Sequence, residues 1–190
     1  ARASASPPPR PAVPYPVDTG RAYDHPEELR GMERCLGVTI PCTGGLCGFS
    51  RLVQAPDWVG IYYEQGHGGG GYRSIPLDGR PHLPPHIRQW LGDSVGHWEG
   101  DTLVVDVIHF NDQTWFDRAG NFHSEALHVV ERYTPRGPNH IDYEVTIEDP
   151  NVFTRPWTMR MPLYRRQEPN VQLLEYECYA YAEEDLAKDK

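Results

Sequence analysis

Hydrophobic and polar residues alternate with period two along much of this chain, which is the signature of strands with one buried face. Between Asn139 and Ile147, the residues Ile141, Tyr143, Val145 and Ile147 fall on one face and His140, Asp142, Glu144 and Thr146 on the other. Trp157, Met159, Met161 and Leu163 alternate with Thr158, Arg160 and Pro162, and a proline within a strand points to a sheet edge. Leu174, Tyr176, Cys178 and Ala180 repeat the pattern against Glu175, Glu177 and Tyr179. Further strands are expected over Ser50–Gln54, Val59–Glu64, Tyr72–Leu77 and Ser124–Tyr133. Glu99-Gly100-Asp101, between GHW and TLVVDVIHF, reads as a hairpin turn. Only EELRGMER, residues 27–34, suggests a short helix, and crossover helices of α/β length are missing from the pattern. The expected fold is therefore all-β: an antiparallel meander of about eight strands forming a barrel or a sandwich.

The first 26 residues depart from this pattern. They hold Pro7, Pro8, Pro9, Pro11, Pro14, Pro16 and Pro26 and few aliphatic side chains, so they favour an extended polyproline conformation over a core of their own. An arm (residues 1–26) followed by a single β domain (27–190) is the simplest division of 190 residues. Groove docking is expected around Pro7, Pro8, Pro9 and Pro11, and strand pairing around Val13, Tyr15 and Val17.

Composition narrows the class. The hydrophobic share of 38% and the mean hydropathy of -0.63 suffice for one core, and no apolar run reaches membrane-spanning length. A net charge of -9 disfavours nucleic acid and anionic lipid as partners. The opening ARASAS resembles the small-residue end left by signal cleavage, and four cysteines fit an oxidising, extracellular or periplasmic setting. The loop CTGGLC suggests a Cys42–Cys47 bridge, leaving Cys35 to pair with Cys178.

Candidate chemistry is sparse. His82 and His86 lie four apart, a metal-ligand spacing on a helix, but Pro84 and Pro85 between them oppose that helix. No cofactor motif is present. Asp106, expected to share a face with Val104, Ile108 and Phe110, would have its pKa raised by apolar neighbours and could act as a general acid or base. His128 and Glu131 complete that alternative site under the long loop over residues 78–97. Either Glu131 or Arg132 must face inward and needs a partner, with Asp106 and Arg155 as the candidates. Trp90 and Trp115 lie in loops where a glycan platform or a subunit interface would use them.

The strings WEGDTLVVD and LHVVER, with IDYEVTIEDP and FTRPWT, resemble a widespread group of secreted bacterial proteins to which no activity is assigned. The resemblance spans roughly residues 50–180 and implies secretion and a shared β fold. A looser likeness connects the meander to lipocalin-type barrels. The expected function is an exported structural protein that self-associates through its arm, as a homo-oligomer or a filament. The alternative is a small-molecule-binding barrel or a hydrolase- or lyase-type enzyme using acid–base side chains.

Overall fold

The structure is a computed structural model that describes residues 39–41, 48–64, 71–116 and 121–174. The proline-rich arm, the helix at 27–34, Cys35, Cys42, Cys47 and Cys178, and all but the first residue of the strand expected at 174–180 lie outside the described residues.

Eight strands follow one another along the chain: β1 (Ser50–Gln54), β2 (Trp58–Tyr63), β3 (Tyr72–Pro76), β4 (Asp93–Glu99), β5 (Thr102–Ile108), β6 (His128–Gly137), β7 (His140–Glu148) and β8 (Trp157–Tyr164). The fold is all-β. Within each sheet the strands pair antiparallel with their sequence neighbours, giving a three-stranded sheet β1-β2-β3 and a five-stranded sheet β4-β5-β6-β7-β8. Among the described residues no ladder joins the two sheets, so a two-sheet packing, rather than a closed barrel, accounts for the meander.

The alternation in the sequence decides which faces meet. Val59, Ile61 and Tyr63 of β2 and Ile75 of β3 turn inward from the smaller sheet. Leu103, Val105 and Val107 of β5, Val129 of β6, and Tyr143, Val145 and Ile147 of β7 turn inward from the larger one. Burying such side chains stabilises by roughly 1.5–3 kcal/mol each, which is what holds the sheets together. At Gly96 an added Cβ would meet Ile75 and Leu77 side-chain atoms at 2.8 Å, so β3 and β4 can approach closely only with glycine there. The β4–β5 hairpin turns on Gly100 at φ 58, the glycine-first form of the two-residue loop. Pro162 sits on β8, which is an edge of the larger sheet as its proline suggested.

Both boundaries of one strand are corrected: the strand expected over Ser124–Tyr133 runs from His128 to Gly137. The strand expected from Ser124 begins only at His128, because Ser124 donates its amide N–H (2.6 Å) and hydroxyl (2.8 Å) to Asp149 and the Leu127 amide bonds back to the Ser124 carbonyl. That arrangement makes residues 124–127 a turn.

Candidate functional site

Outer positions of β4, β5 and β6 carry an ordered row of imidazoles and carboxylates. Val95 of β4 and Val130 of β6 both pair with Asp106 of β5. His128 lies two residues before Val130, so period two puts it on the same face as Asp106. Its Nε2–H donates to Asp106 Oδ2 at 3.0 Å, and the other carboxylate oxygen, Oδ1, stands 2.9 Å from His82 Nε2. His82 Nδ1 in turn lies 2.8 Å from Asp93 Oδ2, which also accepts the Leu83 amide N–H at 2.9 Å. The result is a continuous chain, Asp93–His82–Asp106–His128, with the His128 and Asp106 side chains each 37% exposed.

The electrostatics follow from these contacts. The hydrogen bond to His128 holds the Asp106 carboxyl below its ordinary value, against the opposing effect of partial burial. The same bond raises His128 above the usual imidazole value. The expectation of a raised Asp106 is therefore overturned. Asp106 does share its face with Val104 and Ile108, but that face points away from the core. Leu103, Val105 and Val107 face the core, while Asp106 looks outward. Phe110 is buried all the same, because His109 adopts φ 60 and the alternation does not continue through it.

His109 belongs to the same neighbourhood. Its ring centroid is 6.1 Å from that of His82, in an edge-on arrangement. Burial, followed by the charges of Arg88 and His82, lowers its pKa. Its buried Nδ1 has no hydrogen-bond partner among the described residues.

Glu131 does not join this group. It lies on the inner face of β6, 1% exposed, where Arg73 of β3 donates to its Oε2 at 2.6 Å and the Tyr133 and Tyr143 hydroxyls donate to its Oε1, each at 2.8 Å. Arg73 also reaches Ser94 Oγ at 3.0 Å and the Tyr63 hydroxyl oxygen at 3.2 Å. Burial lowers the guanidinium's proton affinity, but the Glu131 charge beside it prevails and Arg73 ends well above its ordinary value. Burial, and then the Glu131 charge, pushes Tyr133 and Tyr143 far up. The partner of the inward-facing charge is thus Arg73, in place of Asp106 or Arg155. The outward-facing neighbour Arg132 pairs with Glu99 at 2.6 Å.

The remaining sequence candidates scatter. His86 is exposed in a turn closed by the Ile87 amide on the Pro84 carbonyl. Both nitrogens of His82 face carboxylates, and no group of three or more His, Cys, Asp or Glu among the described residues could hold a metal ion. Trp90 is exposed, whereas Trp115 is half-buried in a bridge to Phe122, so the two rings do not both stand free for a glycan. No helix of the described residues is long and apolar enough to cross a membrane.

Sequence reasoning missed Asp93 and the Asp-binding role of His82, because both depend on strand pairing across the sheet. Arg73 left a usable signal: it shares parity with Ile75, which marks it as facing inward. Chemically, the outer row can move a proton. A carboxylate fixes His128 with hydrogen on Nε2, leaving Nδ1 as the basic nitrogen of a partly exposed ring. Comparison with known proteins returns no matching family model, no matching curated protein and no matching solved structure. The resemblance read from WEGDTLVVD and LHVVER rests on those strings alone.

Proposed function

We propose that this is an exported β protein whose five-stranded sheet carries a general-base site on its open face, with His128 as the base and Asp106 as the group that orients it. The class of reaction is proton transfer to or from a small molecule, of hydrolase or lyase type. The observation that carries this reading is the 3.0 Å bond from His128 Nε2 to Asp106, which fixes the tautomer and makes the free nitrogen more basic. Export is supported by the even cysteine count. Nitrogen NMR of the imidazole rings tests the site directly. His128 should show the Nε2–H tautomer and titrate above an ordinary histidine, and Asp106→Asn should bring it back toward the ordinary value. A His128 that titrates like a free imidazole and ignores Asp106→Asn overturns the proposal.

A second reading, self-association through the proline-rich arm into an oligomer or filament, draws on a different observation. All five residues of β1 are exposed, and among the described residues this strand forms an edge of the three-stranded sheet. Leu52 and Val53 of this strand are exposed, as are Tyr62 and Tyr72 of the same sheet, whose rings are 5.4 Å apart. An exposed edge accepts an extended segment, and the proline content of residues 7–19 makes that conformation the expected one for this part of a neighbouring copy. Removing residues 1–26 and measuring particle mass by light scattering decides the matter, since an unchanged mass eliminates this reading.

A further inference from the structure

Residues 78–92 are anchored in two different ways. Their second half is tied by the backbone: the Gln89 amide donates to the His109 carbonyl at 2.9 Å, and the Asn111 amide to the Gln89 carbonyl at 3.0 Å. Arg88 adds bonds to the carbonyls of Phe110 and Glu125. The first half is held differently. Among the described residues, the hydrogen bonds from residues 78–87 to the sheet come from His82, to Asp93 and Asp106, and from the Leu83 amide, to Asp93. The Asp78–Arg80 pair and the Ile87–Pro84 bond are internal to the segment.

His82 therefore stands between two groups that can only accept. An ionised carboxylate donates nothing, and a neutral imidazole has a single N–H, so both contacts are hydrogen bonds only when the ring carries hydrogen on both nitrogens. We infer that residues 78–87 form a proton-operated latch beside His128, with His82 as its key: engaged while both ring nitrogens carry hydrogen, released when one of them loses it.

The groups facing His82 fit this role. Asp93 approaches from β4 and Asp106 from β5, with His128 of β6 beyond Asp106. The His109 ring follows β5, and Arg88 lies within charge range of His109. Arg80 feels the Asp93 charge from within the segment itself. The two contacts at hydrogen-bonding distance are both carboxylates. Asp106 serves both imidazoles, so acid engages the latch and also occupies the His128 base, while alkali frees both. That consequence rests on the general-base reading above. The latch itself does not.

Amide hydrogen exchange followed by NMR reads the two halves separately. From about pH 5 to about pH 8, the span over which imidazole titrates, the protection of the Leu83 amide, corrected for intrinsic exchange, should fall about tenfold, as expected for the loss of a charge-assisted contact. The Gln89 amide should hold its protection over the same span. In His82→Gln, Leu83 protection should be low and independent of pH, while His128 keeps its bond to Asp106 and titrates higher for want of a competitor. Asp93→Asn retains an oxygen for the Leu83 amide but lacks the charge, so the pH dependence should shrink while part of the protection stays. Flat Leu83 protection in the native protein, or protection unchanged in His82→Gln, overturns the latch. An abnormal His128 titration alongside either result would show the base reading surviving without it.

Discussion

Strand β6 carries two charged clusters on its opposite faces, and they behave as different kinds of chemistry. Glu131 points inward to Arg73 and two tyrosine hydroxyls, with side-chain exposures of 2% and 1% across the ion pair. His128 points outward to Asp106, at 37% on both sides. Inside, the tyrosine and guanidinium protons are held far from neutral pH: the tyrosines are driven up by burial, and Arg73 is held charged by Glu131. Outside, the carboxylate is pulled down, away from neutral pH, while the imidazole is pulled up above its ordinary value. Hydrogen-bonded charged clusters thus fix architecture on one face and leave partly exposed titratable groups on the other. Access of water makes the difference.

The comparison is most severely tested from the inside. Glu131→Ala should remove about 3–5 kcal/mol of stability, the usual cost of stranding a buried charge, measured by denaturant titration. A loss below about 1 kcal/mol would contradict a locked interior pair. Arg73→Met combined with Glu131→Leu should recover only part of that loss, since the Tyr133 and Tyr143 hydroxyls still lack their acceptor. Adding Tyr→Phe at both positions should recover more.

Outside, the effects shrink and acquire a pH dependence. His128 lies above its ordinary value, so its contribution is complete below the unfolded-state value and fades as pH rises through the folded one. Asp106 lies below its ordinary value, so its contribution is present above the unfolded carboxylate value and fades as pH falls through the folded one. The pair stabilises most between those limits, in mildly acidic solution. There Asp106→Asn should cost about 1 kcal/mol or less, given the solvent around the pair. The deficit should close as pH rises past the His128 titration; melting curves at a series of pH values check this, and a deficit that grew instead would contradict it. The smallest effect is expected at Asp78, whose carboxyl is lowered to about 2 by Arg80 on a fully exposed loop. Asp78→Asn should leave the thermal midpoint unmoved, and a measurable drop would show that this loop pair matters to folding.

The sequence made the strands legible wherever a single face is buried. Ser50–Gln54 is reproduced residue for residue, and β2, β3, β7 and β8 fall within a residue or so of the pattern that announced them. The rule that one of Glu131 and Arg132 must face inward also holds, with Glu131 inside. Period two fails where the backbone leaves the strand. His109 in the left-handed region breaks the alternation before Phe110, so Phe110 leaves the face of Asp106, whose hydrogen-bond partners there are His82 and His128. The row Asp93–His82–Asp106–His128 was beyond reach for a second reason. Its members come from a loop and three strands, and only the register between strands brings them together. Parity says which side of a strand a residue faces; it does not say what waits there.

The buried pair also polices the alignment of β6 during folding. A slip of one residue would turn every side chain of the strand over and bring Arg132 into the interior that Arg73 already occupies. Two guanidinium groups would then confront each other in a dry space, with Glu131 stranded in solvent. The mispaired sheet is therefore rejected by the same charge that secures the correct one.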